Sequence, residues 1–241
     1  MYMLKHGSII WAGKSSQDLG IVIEKAPKIS RPARKFTSYT IPGRSGDIIE
    51  PQDAWSNYTQ SYSIWAGGYN DGSAQISMSA ISAWLLSPKG YQRLEDNFEP
   101  DIYREAYFVG PIEAEDILAQ VGKCEIQFSC KPQRYLKLGE RVKTCSSGDV
   151  LFNPTQFEAK PLITVYGSGD ASISINGATL TIAGMTDYLN IDCETMDVYR
   201  ETSENRNSLV SGQFPTLAPE NNTVIYTNLT SVEITPRYYT I

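Results

Sequence analysis

Apolar and polar residues alternate along most of this chain, and turn-forming residues interrupt the alternation at short intervals. Between residues 122 and 130, for example, the apolar positions form one face, namely Cys124, Ile126, Phe128 and Cys130. Alternation with a period of two is typical of half-buried β-strands. Asn176-Gly177 joins two alternating segments, and both residues tolerate the positive φ of a tight hairpin turn. The pattern therefore predicts a mainly β fold, and we also expect a turn between strands at Gly167-Ser168-Gly169-Asp170.

One segment departs from this pattern and predicts a helix from Gln75 to Leu86. Its apolar residues recur at helical spacing, namely Ile76, Ala80, Ile81, Trp84 and Leu85. Asp71 or Ser73 is in position to cap the start, and Pro88 and Gly90 follow the end. An apolar stripe of this kind indicates a helix packed on the core rather than a cofactor site.

Charge divides the chain into two regions. Residues 1–137 carry fifteen Lys and Arg and fifteen Asp and Glu, whereas residues 138–241 carry six basic and twelve acidic residues, so the net charge of −6 belongs to the second region. The helix lies in the first region, and the second shows strands about every ten residues with turns between them. We therefore predict two domains: 1–137, β-rich with one helix, and 138–241, an antiparallel β-sandwich.

The rare residue types exclude several functions. The single histidine, His6, would have to serve any Ser-His or Cys-His catalytic site, and it excludes a multi-histidine metal site. Cys124, Cys130, Cys145 and Cys193 lack metal-ligand spacing and are expected to be buried thiols. The acidic residues of Asp187–Glu204 favour a solvated face over a glycosidase carboxylate pair. We expect no enzyme activity, no cofactor and no metal.

Hydropathy and net charge limit the surroundings and partners of the chain. No apolar run reaches the length of a membrane span, and the start lacks the apolar stretch of a signal peptide, so we expect synthesis in a cytoplasm. The acidic balance argues against general nucleic-acid binding.

A basic stretch and a glycine turn in the first region have two interpretations. Residues 28–35 include Arg31, Arg34 and Lys35, and the turn Ile41-Pro42-Gly43-Arg44-Ser45-Gly46-Asp47 follows. The backbone amides of such a turn can cradle an anion. We favour a structural turn whose Arg44 pairs across an interface.

Taken together, these segments resemble the distal tail protein (Dit) family of long-tailed bacteriophages, over essentially the whole chain. Trp11-Ala-Gly-Lys-Ser-Ser-Gln-Asp-Leu-Gly20-Ile21 is similar to the opening motif of the family, and the Pro42-Gly43-Arg44 turn to its Pro-Gly-Arg-x-Gly turn. Further similar segments are Ala83–Leu86 with Gly90-Tyr91 and Leu94, Asp101–Phe108, Phe128–Tyr135, Asn153-Pro154-Thr155, Pro161–Asp170, Asp192 and Gly212–Pro215. Glu220-Asn221-Asn222 stands where the family usually has Gly-x-Asn.

The resemblance implies a structural virion protein at the tip of a non-contractile tail, made in the bacterial host. Its N-terminal domain would close into a hexameric ring between the tail tube and the tip, with a channel through which DNA passes. Its C-terminal domain would be a galectin-like β-sandwich that docks neighbouring proteins. Implied partners are further copies of the chain, the tail tube protein, the tail-associated lysin or tip protein, and receptor-binding or baseplate proteins.

On this interpretation the basic stretch and the glycine turn line the ring interface or the channel. A ring needs one face of a subunit to complement a different face of the next. The candidate basic residues would pair with Asp47, Glu50 or Asp53. The candidate ring-interface or channel residues are Arg31, Arg34, Lys35, Gly43, Arg44, Gly46 and Asp47.

The alternative function is a lectin-like module that binds host-surface glycans. Sugar-binding sandwiches usually stack rings on Trp or Tyr. All four Trp residues lie in the first region, namely Trp11, Trp55, Trp65 and Trp84. A lectin would therefore have to use tyrosines of the second region, namely Tyr166, Tyr188, Tyr199 and Tyr226.

Overall fold

The computed structural model of the chain describes residues 7–66, 78–110, 122–201 and 204–241. It forms two compact units: unit 1 extends to Arg134, and unit 2 covers Tyr135–Thr240. The predictions for His6 and for the helix start at 71–77 lie outside the described residues.

The described part of unit 1 contains antiparallel strands and one α-helix. Its elements are β1 (Ile9–Trp11), β2 (Lys14–Ser15), β3 (Ile21–Ile23), β4 (Arg34–Tyr39), β5 (Ile48–Trp55), β6 (Tyr58–Ala66), α1 (Met78–Leu86), β7 (Gln92–Asp96), β8 (Ile102–Phe108) and β9 (Gly122–Leu136). The main sheet has the order β2-β1-β7-β8-β9-β6-β3. Among the described strands, β4 and β5 pair only with each other.

The alternating residues form the core of unit 1 as the sequence predicts. Ile126, Phe128 and Cys130 of β9 are buried together with Ile81, Trp84 and Leu85 of α1. The indole Nε1 of Trp84 donates to the Trp11 carbonyl oxygen at 3.3 Å, which ties the helix to β1. The prediction of one core-facing helix is confirmed for the described part of that segment.

Strand β9 extends beyond its predicted end at Cys130. It continues through Pro132, although proline cannot donate a ladder hydrogen bond. The pairing of β9 with β6 ends at Cys130, opposite Tyr58, so no ladder donor is required from Pro132 on that side.

Unit 2 is an antiparallel β-sandwich, as predicted. Its strands are β10 (Lys143–Cys145), β11 (Val150–Asn153), β12 (Leu162–Ile175), β13 (Ala178–Asp192), β14 (Asp197–Arg200), β15 (Glu204–Asn205), β16 (Val210–Gly212), β17 (Glu220–Thr235) and β18 (Tyr239–Thr240). The sheet order is β10-β17-β12-β13-β14-β15, with β11 also on β17 and β16 also on β13. The long central strands surround one apolar core that includes Ile163, Val165, Leu189, Ile191 and Val232.

One turn of unit 2 was predicted correctly and one was not. Asn176 and Gly177 have φ of 52° and 91° and join β12 to β13. Gly167–Asp170, by contrast, lies inside β12 rather than between strands. There the register of β12 shifts against both neighbours, so these residues form bulges in a continuous strand.

Candidate functional site: an exposed β-hairpin arm

Strands β4 and β5 form a hairpin, which we call the arm (residues 34–55). Phe36 lies opposite Pro51, Ser38 opposite Ile49 and Tyr39 opposite Ile48. Because side chains alternate between faces, Phe36, Ile49 and Pro51 share one face, and Tyr39 and Ile48 share the other.

Both faces of the arm expose apolar side chains. Phe36 is 57% exposed, Tyr39 51% and Ile49 62%. No described core residue of unit 1 comes from the arm. A two-stranded hairpin is marginally stable in water unless a third element packs on it. The arm therefore presents apolar surface that its own chain leaves uncovered within the described ranges.

The arm tip is fixed by local hydrogen bonds. The Asp47 carboxylate accepts hydrogen bonds from the Ser38 and Thr40 hydroxyls, each at 2.8 Å, and these bonds lower the pKa of Asp47. Gly43 and Gly46 have φ of 80° and 83°, and a Cβ added to either would meet nothing within 4 Å. Backbone conformation, not lack of space, therefore requires glycine at both positions.

The basic residues of the candidate site do not pair with the acidic residues of the arm. Within the described ranges, Arg31, Arg34, Lys35 and Arg44 form no ion pair. Glu50 instead accepts a hydrogen bond from the Tyr39 hydroxyl at 3.1 Å, and the Arg34 guanidinium lies 5.1 Å from the centre of the Trp55 ring. Those positive charges therefore remain available to another molecule.

The base of the arm is anchored to unit 1. Ser56 donates its backbone N–H to the Ala33 carbonyl at 2.9 Å, and Gln60 Nε2 donates to the Lys28 carbonyl at 3.0 Å. Arg31 lies at this base; burial and the neighbouring Arg134 charge lower its pKa. Of the candidate residues, Arg31 is thus at the base of the arm, whereas Gly43, Arg44, Gly46 and Asp47 are at its tip.

Sequence reasoning missed the two strands of the arm. The available signal was the strand-favouring residue types Phe36, Thr37 and Tyr39, followed after the glycine turn by Ile48 and Ile49. Pro51 obscured it, because proline within a strand segment argues against a central strand. In a hairpin with two free edges, proline is tolerated.

The tyrosines proposed for glycan stacking do not form one site. Tyr166 and Tyr188 lie opposite each other on β12 and β13, with ring centres 6.1 Å apart, and Tyr199 follows on β14. The Arg200 guanidinium lies 5.4 Å from the Tyr188 ring centre. Tyr226 packs against the core and donates to the Cys145 carbonyl at 3.3 Å. Three of the four tyrosines are therefore neighbours, and Tyr226 is separate from them.

The acidic segment 187–204 contains ion pairs rather than only solvated carboxylates. Asp187 pairs with Arg200 at 2.9 Å, and Asp192 accepts two hydrogen bonds from Arg237 at 2.8 and 2.9 Å. Among the described residues, no group of His, Cys, Asp and Glu side chains is arranged to hold a metal ion. None of the helices described in the structure is long and apolar enough to cross a membrane.

Comparison with known proteins gives structural matches alone. No protein family profile matches the chain, and no curated protein matches it. The crystal structure of the Dit protein of phage SPP1, described as a paradigm of the hub adsorption apparatus of phages that infect Gram-positive bacteria, is 12% identical with a TM-score of 0.76. This match covers 98% of this chain and 99% of that chain.

Two further matches come from the baseplate of phage P2 in its activated conformation. In the structure with Ca the matched chain is 11% identical, with a TM-score of 0.55 and coverage of 96% of this chain and 97% of that one. In the structure with Sr the identity is also 11%, with a TM-score of 0.53 and coverage of 95% and 97%. Along nearly its whole length, this chain therefore has the fold of the phage distal tail (Dit) hub protein.

Proposed function

We propose that this chain is a structural subunit of a phage tail tip, where copies of it close into a ring that connects the tail tube to the tip. The role is assembly and needs no catalysis. The whole-length fold likeness to a Dit hub and to baseplate chains supports this proposal. A fold alone does not determine function, so the proposal depends on the site itself.

The observation that carries the proposal is the exposed arm. Phe36 and Ile49 on one face, and Tyr39 on the other, need a partner that covers both faces. A cyclic homo-oligomer supplies such a partner, because the arm of each subunit packs on a different surface of the next. Burial of exposed side chains of this size contributes about 1.5–3 kcal/mol each.

The positive charges of the arm, near its base and at its tip, fit the same role. Lys35 and Arg44 have no ion-pair partner in the described part of their own chain. In a ring they pair with carboxylates of the neighbouring subunit or line the central channel, together with Arg34. We propose six subunits, with residues 1–137 forming the ring and residues 138–241 serving as a galectin-like docking domain.

The remaining partners follow from the position of a hub in the tail. They are the tail tube protein on one side and the tail-associated lysin or tip protein on the other, with receptor-binding or baseplate proteins around the acidic second domain. DNA passes through the channel without sequence-specific contacts. The protein is located at the virion tail tip after synthesis in the bacterial host.

Electron microscopy and light scattering of the purified full chain, at high concentration and with the tail tube protein added, test the ring. We expect closed six-fold particles. Replacing the exposed apolar pair, Phe36→Ser with Ile49→Ser, should shift the protein to monomers with unchanged far-ultraviolet circular dichroism. Reversing two positive charges of the arm, Lys35→Glu with Arg44→Glu, should weaken assembly most at low salt.

Met196→Ser is the matched control, because Met196 is 63% exposed but lies in unit 2, outside the arm. It should leave the assembly unchanged. A ring that survives both arm variants, or a chain that stays monomeric with the tube protein present, would refute the assignment.

A further inference from the structure

Unit 2 carries an open groove of about 380 Å³ on the outer face of its sheet. Its polar lining consists of Asp170, Ser172, Thr181, Ser211, Thr227 and Asn228. These residues come from four neighbouring strands or the bulge between them, so the groove crosses the middle of the sheet. It is separate from the arm and contains none of the tyrosines considered above for glycan binding.

The groove lies where the central strand β12 is interrupted. The register of β12 shifts against β13 between Gly169 and Ala171, and against β17 between Gly167 and Ser172. Because β12 is interrupted against both of its neighbours, it forms fewer backbone hydrogen bonds than a regular central strand would. Bulges of this kind often change the direction in which side chains point beside binding sites.

A row of hydroxyl groups crosses the groove. Thr227 and Ser172 lie with their hydroxyl oxygens 2.8 Å apart, and Ser172 is opposite Thr181 in the register of β12 and β13. Thr181 in turn lies with its hydroxyl oxygen 2.7 Å from that of Ser211. A hydroxyl pair uses one O–H internally, so the Ser172–Thr227 pair retains a donor and several lone pairs for a ligand.

The ends of the row add an acid and an amide. One oxygen of Asp170 accepts the Gly184 backbone N–H at 2.8 Å, and the other is not used by that bond. The Asn228 amide nitrogen donates to the Asp170 backbone carbonyl at 3.0 Å, which leaves its amide oxygen as an acceptor. Both end groups are thus held in place by the backbone and retain acceptor capacity.

From this arrangement we infer that the groove binds a neutral saccharide. Sugar rings present hydroxyls at their edges and C–H groups on their faces, which match the hydroxyl row and the exposed Ala183 side chain of the groove. The lining includes no Lys or Arg, and it includes Asp170, so anionic ligands such as phosphates are repelled. An extended peptide binds by adding to a free strand edge, whereas the hydroxyl row crosses the face of the sheet over β12, which is paired with both β13 and β17.

The affinity of such a groove for a single saccharide is low. Exposed hydroxyls exchange one hydrogen bond with water for one with the ligand, so each contributes little net free energy. No aromatic ring lines the groove to add stacking. We expect dissociation constants of about 1 mM, a range suited to ligand-observed NMR.

Saturation-transfer NMR on the full chain tests the inference, with neutral tetrasaccharides of hexoses and of N-acetylhexosamines as probes and a uronate-containing tetrasaccharide as the anionic probe. Neutral probes should receive saturation, and the anionic probe should not. Ser172→Ala with Thr181→Val should weaken neutral binding several-fold, because two hydroxyls that each contribute a small net free energy are removed. Asp170→Asn should reduce the difference between the saturation received by the neutral probes and that received by the anionic probe.

Thr179→Val is the matched control, because Thr179 is an exposed threonine on the same strand and face as Thr181 but does not line the groove. It should leave binding unchanged, and thermal melting of each variant checks that the fold is retained. If no neutral probe binds, or if the groove variants and the control behave alike, the inference is overturned. Since the readout needs one chain in solution, it is independent of whether a ring forms.

Discussion

Arg104 donates a hydrogen bond to Asp96 inside unit 1, with Nη1 and Oδ2 2.9 Å apart and both side chains almost completely buried. The same carboxylate oxygen accepts the Tyr62 hydroxyl at 2.9 Å, and the other oxygen accepts the backbone N–H groups of Phe98 and Glu99. Burial and the Asp96 charge raise the pKa of Tyr62 well above its usual value. These contacts hold β6, β7 and β8 together through one carboxylate.

Arg104→Met should therefore destabilise unit 1 strongly. It leaves the buried Asp96 charge without its partner, and breaking a buried pair in this way costs about 3–5 kcal/mol. Urea unfolding of the wild type and the variant measures the difference in free energy. Lys131→Met is the control, because its pair with Glu105 is partly exposed and should contribute at most about 1 kcal/mol. Equal losses from the two variants would contradict a dominant role for the buried pair.

Asp192 gives unit 2 an acid-sensitive contact. Burial raises its pKa, but hydrogen bonds from Arg237 and from the Glu194 and Thr195 amides outweigh this, so its pKa lies below its usual value. A depressed carboxyl pKa stabilises the fold above the unfolded pKa of about 3.9, and the contribution is lost as pH falls through the lower folded value. Melting temperatures of the wild type should therefore fall more steeply below about pH 4 than those of Asp192→Asn. Parallel pH profiles would exclude this linkage.

Much of the fold follows from period-two alternation. The alternation in Cys124–Cys130 and the Asn176-Gly177 turn depend on local chemistry, and both predict the structure correctly within the described residues. Gly167–Asp170 was misassigned because glycines and a polar residue fit a bulge as well as a turn. Register against two neighbouring strands decides between them, and register is a long-range property.

The candidate site was predictable in position but not in form. A basic stretch followed by a glycine turn indicated a special surface near Arg44. The structure shows that this surface is a hairpin separate from the main sheet, because β4 and β5 do not pair with any of its described strands. A local sequence pattern contains no information about which strands pair. The hydroxyl groove could not be predicted for the same reason. Its hydroxyl residues lie far apart in the sequence and match no motif there, namely Ser172, Thr181, Ser211 and Thr227.

The buried thiols should resist alkylation in the native state. Burial raises the pKa of Cys130 to about 12 and that of Cys193 to about 12, so almost no thiolate forms at pH 8. Iodoacetamide labelling with site-by-site mass spectrometry should show both residues unmodified in buffer and modified in concentrated urea. Rapid native labelling of either residue would show that its strand opens without global unfolding.

Glu220 adopts a backbone conformation that favours glycine, with φ of 69°. Here the Dit-like pattern has Gly-x-Asn, and the asparagine of this chain, Asn222, is buried and donates to the Ala218 and Glu220 carbonyl oxygens at 2.8 and 3.1 Å. The loop thus keeps its shape although the glycine is replaced. The left-handed conformation destabilises a non-glycine residue by about 1–2 kcal/mol. Glycine avoids this strain, but its greater loss of conformational entropy on folding offsets about 0.5–1 kcal/mol of the gain.

Glu220→Gly should consequently stabilise unit 2, by about 0.5–1 kcal/mol in urea unfolding. Glu220→Ala separates the two causes, because it removes the carboxylate but keeps the Cβ that strains the backbone. Alanine should therefore give no gain, since charge is not the source of the strain. If alanine stabilised the chain as much as glycine, the Glu220 carboxylate, rather than backbone strain, would be the destabilising factor at this loop.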